Sequence, residues 1–161
     1  MDPGTLKGVA IVSVEGAARL GRVREVLFDT DPLRVAALLA GDESGESIVP
    51  FDRVSSFGSD AVMVETADVS EHSPQPSNQL RSLSDLQKLK VVDDTGGYVG
   101  TVKTLDFDPD SGRVERLVAE TGGVLGIAGK RTTTVEAQHV RSIGGDLLTI
   151  SSNREPSAST D

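Results

Sequence analysis

The sequence predicts an all-β protein built as two small domains in tandem, and three observations carry that expectation. The first is a duplication. Residues Leu20 to Ala40 align without a gap to Val99 to Ala119 at an offset of 79, and nine of the 21 positions are identical, among them Gly21/Gly100, Phe28/Phe107, Arg34/Arg113 and Leu38/Leu117. A second block, Val54 to Val64, recurs as Val140 to Ile150. A period this long indicates a duplicated domain rather than a solenoid repeat. The second observation is the short, strand-like spacing of apolar residues between Gly, Asp and Pro. The third is composition: no Cys, no Trp, four Phe and one Tyr among 161 residues. Aliphatic side chains must therefore supply the core, without help from disulfides or thiolate metal sites.

The elements follow in order. Val9 and Ile11 open the first copy, and a turn at Glu15-Gly16-Ala17-Ala18 leads to Gly21, as Asp94-Thr95-Gly96-Gly97 leads to Gly100. A glycine recurring just inside a strand predicts a bulge or sharp bend. The next strand ends at Phe28-Asp29 or Phe107-Asp108, followed by a turn at Asp31-Pro32 or Pro109-Asp110-Ser111-Gly112. A further strand starts at Arg34-Val35 or Arg113-Val114. Two more strands close each copy, joined by Phe57-Gly58-Ser59-Asp60 and Ile143-Gly144-Gly145-Asp146. Five or six short strands per copy indicate a small barrel or sandwich. One helical turn is expected at Ser82 to Lys88, capped by Ser82 or Ser84. The domain boundaries read as 1–68 and 80–152, with a Pro- and Ser-containing linker at 69–79 and a disordered tail at 153–161.

Charge narrows the partners. The net charge is −9, with 6 Lys+Arg against 12 Asp+Glu in residues 1–70 and 10 against 13 in 71–161. Neither half shows the clustered cations that displace counterions from nucleic acid, and an anionic membrane surface would repel the chain. No apolar run approaches the length of a membrane span, and Met1 opens no signal-peptide pattern. These features predict a cytoplasmic protein with a protein partner, no direct nucleic-acid contact and no membrane insertion.

Motifs that could carry chemistry are few. Asp106, Asp108 and Asp110 resemble the opening of a calcium loop, but the sixth and twelfth positions are Ser111 and Leu117, where such a loop needs Gly and a bidentate Glu. A hairpin turn explains them better, and they are only weak metal candidates. Gly129-Lys130 mimics the end of a phosphate loop, yet Arg131 replaces its Ser/Thr and a β-forming Thr run replaces its helix. The segment Gly122 to Lys130 reads instead as a glycine-rich hairpin loop tipped with Val124, Leu125 and Ile127, a candidate protein-contact surface. The two histidines, His72 in the linker and His139, do not form a site. No nucleophile, base and oxyanion donor can be assembled, so no catalytic residue and no cofactor is expected.

Together these features resemble the PRC-barrel family, a small β-barrel found in the H subunit of photosynthetic reaction centres and in a 16S rRNA processing factor. The resemblance rests on Val91 to Val102, Phe107-Asp108-Pro109, Gly112-Arg113-Val114, Gly122 to Gly126, and Ile48-Val49-Pro50-Phe51 with Val54; Leu20 to Val23 and Val26 to Asp29 repeat it. It covers about residues 5–66 and 83–151. It implies two PRC-type β-barrels in tandem and a non-enzymatic interaction or assembly module, an adaptor for ribosome assembly or for a membrane complex. Phe51 is a second candidate contact, present once because Pro50-Phe51 becomes Glu136-Ala137 in the other copy. An intrachain pseudo-dimer or a homodimer is compatible with the duplication. The competing reading is a calcium- or small-ligand-binding barrel.

Overall fold

The computed structural model of the chain describes residues 1–43, 45–66, 80–122 and 131–152. The linker at 69–79, the tail at 153–161 and the loop residues Val124, Leu125 and Ile127 lie outside them. The fold is nearly all-β, as the sequence predicts, and it contains two sheets of the same strand order. In the first, β1 (Ala10–Ser13), β2 (Arg19–Thr30), β3 (Leu33–Asp42), β4 (Gly45–Pro50), β5 (Val54–Phe57) and β6 (Ala61–Val64) run in the order β4-β3-β2-β1-β6-β5. A two-residue strand, β7 (Arg81–Ser82), adds to β2 off this path. A single helical turn, α1 (Leu83–Leu86), comes next. In the second sheet β8 (Lys90–Asp93), β9 (Tyr98–Phe107), β10 (Val114–Thr121), β11 (Arg131–Glu136), β12 (Val140–Ile143) and β13 (Leu147–Ile150) run in the order β11-β10-β9-β8-β13-β12.

Each sheet is an open ladder among the described residues. Its edge strands are consecutive in the chain and joined by one 3-10 turn, Phe51–Arg53 in the first and Ala137–His139 in the second. Compact units do not follow the repeats, however. One comprises Met1–Leu83 together with Phe107–Arg113; the other comprises Ser84–Asp106 together with Val114–Asp161.

The longest strands exceed the short runs that periodicity suggests: β2 has 12 residues, and β3 and β9 have 10 each. Bulges explain the difference. In β2 the buried positions are Gly21 and Val23, then Val26 and Phe28, and in β9 they are Gly100 and Val102, then Leu105 and Phe107. An extra residue slips the period of two in mid-strand, so one bent strand looks like two short ones.

The expected glycine bulge sits at the same place in both copies. Ile11 pairs with Gly21 and Val12 with Arg19, which leaves Leu20 unpaired; Val91 pairs with Gly100 and Val92 with Tyr98, which leaves Val99. Gly21 has φ +122, and a Cβ there would meet the Gly41 carbonyl oxygen at 2.8 Å. Gly100 stands in the same relation to Glu120, at 2.9 Å. Side chains larger than hydrogen are excluded by the neighbouring strand.

The core is as duplicated as the backbone. Val35/Val114, Leu38/Leu117, Ala40/Ala119, Val49/Val135, Val62/Leu148 and Val64/Ile150 are all buried. One buried polar side chain, Ser13, secures the turn before the bulge: its hydroxyl donates to the Glu15 carbonyl at 2.7 Å and accepts from the Ala18 amide at 3.2 Å. At the matching position Asp93 accepts from the Thr95 and Gly97 amides at 3.0 and 2.8 Å. Two different residues thus fulfil one local requirement, satisfaction of turn amides.

Candidate interaction surface

The most distinctive surface chemistry in the first unit surrounds the segment Phe107–Arg113. Its turn is held by its own polar groups. The Asp108 carboxylate accepts from the Asp110 amide at 2.9 Å, the Gly112 amide donates to the Asp108 carbonyl at 2.7 Å, and the Asp108 amide donates to the Arg113 carbonyl at 2.9 Å. Gly112 closes the turn at φ +79. The Val35 amide then donates to the Gly112 carbonyl at 2.7 Å, and Arg34 lies opposite Arg113 in an isolated antiparallel bridge.

Aromatic rings line the same place. Phe107 is fully buried and meets Phe57 edge to face at 5.7 Å between centroids; Phe57 in turn stacks on Phe51 at 5.9 Å. The Phe51 ring lies so close over Gly112 that a Cβ on the glycine would stand 3.0 Å from it. Such ring pairs add about 0.5–1.5 kcal/mol beyond area burial. Phe51, the second candidate contact, is half-buried and engaged with Phe57 and Gly112.

The aspartate trio does not assemble into a site. Asp106 accepts a charge-assisted hydrogen bond from the Arg116 guanidinium at 2.6 Å, and Asp108 is used within its turn. Asp110 is exposed. Among the described residues no group of three or more His, Asp or Glu side chains is placed to hold a metal ion. His139 lies in the 3-10 turn Ala137–His139, where its carbonyl accepts from the Ser151 amide at 2.8 Å.

The second unit presents a different surface. Tyr98 and Leu147 are 58 % and 42 % exposed. Register places Tyr98 beside Val92 and Val92 beside Thr149, on the face opposite the buried Val91, Leu148 and Ile150. The Tyr98 hydroxyl shares a hydrogen bond with Thr101 at 3.2 Å. Near this sheet, Asp94 accepts from the Ser152 amide at 3.0 Å and from Arg141 at 3.4 Å. Hydrogen bonding from Ser152, with the Arg141 charge in support, holds the Asp94 carboxyl below its ordinary 3.8, against some desolvation and the negative charge of Asp93. Sequence reasoning missed this group; only the fold brings residues 94, 141 and 152 together.

The family model for the PRC-barrel domain matches the chain twice, over residues 4–69 and 79–155. The chain belongs to the PRC-barrel family. It carries two PRC-barrel domains in tandem, and the two like-ordered sheets are their structural counterpart. No curated protein matches the chain. Family membership accounts for the repeated glycine bulge and core, while the single-copy features, Phe51 and Gly112 above all, are where the two PRC-barrel domains differ. No helix among the described residues is long and apolar enough to cross a membrane.

Proposed function

We propose that this PRC-barrel protein is a non-enzymatic interaction and assembly module, an adaptor that docks on a protein complex. The carrying observation is the tandem family match over residues 4–69 and 79–155. The burial pattern supports the reading: the positions shared by the two copies form aliphatic cores, and the distinctive polar side chains serve turns and ladders. Candidate contact residues are Val124, Leu125 and Ile127 of the glycine-rich loop, together with Tyr98 and Leu147, which are exposed large apolar groups. Of these, Tyr98 is of a residue type enriched among the anchors of protein contacts.

Affinity capture of the tagged full chain from native extract, followed by mass spectrometry, tests this directly. Ribosomal proteins, or the subunits of one membrane complex, should be retained, and which set is found chooses the cellular process. Leu125→Asp should abolish that retention while leaving the melting temperature unchanged. Recovery of background proteins alone, or undiminished recovery by Leu125→Asp, would overturn the adaptor reading or its assignment to the loop, respectively.

A further inference from the structure

Inside the first unit, residues of the two copies make reciprocal pairings. The Phe107 amide donates to the Met1 carbonyl at 2.9 Å, and the Met1 ammonium donates to the Phe107 carbonyl at 2.7 Å. Phe28, the counterpart of Phe107, pairs with Arg81 of β7, and Arg81 precedes α1 by the same step as Met1 precedes the 3-10 turn Pro3–Leu6. Between these pairings Arg34 opposes Arg113, its own counterpart. A surface on which a residue meets its own equivalent is isologous, and an isologous surface is self-complementary. Left unmodified, it would pair a copy with any other like copy, within a chain or between chains.

One contact breaks that equivalence. Phe51 lies over Gly112, and at the matching positions the sequence has Ala137 in place of Phe51 and Leu33 in place of Gly112. Pairing two first-type copies would set Phe51 against Leu33, two large groups in a space now occupied by one. Pairing two second-type copies would set Ala137 against Gly112 and leave a void. Overpacking and cavities both destabilise. Only the mixed pairing, large against small, fits.

We propose that Phe51 and Gly112 form a size-complementary lock that makes this isologous surface select the turn of a second-type copy, Phe107–Arg113, and reject the turn of another first-type copy. The lock determines partner choice on a surface whose backbone pairing has none, which is how specificity is built where affinity is shared.

The chain has no cysteine, so an engineered pair reports on this surface cleanly. Opposed residues of an antiparallel bridge have Cα atoms about 4.5–5.5 Å apart, within disulfide range. In the full-length R34C/R113C background, mild oxidation should cross-link the chain to completion, as read by non-reducing electrophoresis and thiol titration. Free thiols after oxidation would overturn the pairing itself. Grafting the first copy's turn onto the second (P109T/S111P/G112L) brings in Leu with the turn residues that flank it naturally. That graft should reduce cross-linking to background, and adding Phe51→Ala should restore it. Undiminished cross-linking in the graft, within or between chains, would overturn the lock, and so would failure of Phe51→Ala to restore it. Neither result bears on capture of an outside partner, so the adaptor reading and this one fail separately.

Discussion

At Gly21 a single methyl group would collide with the next strand. The residue holds φ +122, and its absent side chain leaves room for the Gly41 carbonyl oxygen, which would stand 2.8 Å from a Cβ. Gly96 also has a positive φ, +90, but open space around its missing Cβ. The two therefore separate conformational strain from steric contact. Gly96→Ala should cost about 1 kcal/mol from backbone strain alone, whereas Gly21→Ala should cost about 3 kcal/mol once the ladder must also shift. Urea unfolding of the two variants checks the difference, and equal losses would show that the close approach carries no weight. The glycine's place in a strand was legible from its recurrence as Gly100. The reason for it, contact with a residue 20 positions away, was not.

Among the elements, the bent strands β2 and β9 position everything else. In both, the burial period of two slips in mid-strand, at a bulge in β2, so that Val26 and Phe28, or Leu105 and Phe107, return to the buried face. The strands that follow, β3 and β10, bury Leu38 and Leu117 completely. Truncating a fully buried leucine removes both transfer energy and packing, so Leu38→Ala should lose about 3 kcal/mol. Calorimetry should show the loss in a transition distinct from that lowered by Leu117→Ala, because the two residues belong to different compact units. A single transition lowered equally by both would mean that the units unfold as one. Here the sequence was a sound guide to which positions correspond, because identical apolar residues recur in both copies. It was a poor guide to strand length, because a bulge erases the alternation by which strands are read.

At the scale of the whole molecule, charge sets the response to acid. The chain carries −9, and two carboxylates of the second unit, Asp94 and Asp106, are held below their ordinary value, Asp94 by Ser152 with Arg141 in support. A carboxyl with a depressed folded pKa stabilises the protein above its unfolded value, near 3.8, and that contribution disappears as pH falls through the lower folded value. Asp94→Asn should therefore be less stable than the parent at neutral pH, and the difference should vanish in acid well below 3.8. Urea midpoints at the two pH values test this. A gap that persists in acid would point to lost packing instead of lost charge. The interaction is exposed to solvent, so added salt should narrow the gap at neutral pH.

Sequence alone was enough for the all-β class, the tandem arrangement and the glycine bulges, because duplication writes each local requirement twice and coincidence becomes unlikely at every repeated position. It also showed that Phe51 has no counterpart, but a single-copy aromatic has no internal control, and its reading as a candidate contact followed from the family resemblance rather than from a neighbour in the fold. Only the tertiary structure placed that ring between Phe57 and Gly112, drew Phe107–Arg113 into the first unit and brought Ser152 to Asp94. Each of these depends on residues dozens of positions apart meeting in space. Local propensity constrains the strands, but contacts between distant segments are decided by how the bent sheets bring their turns together.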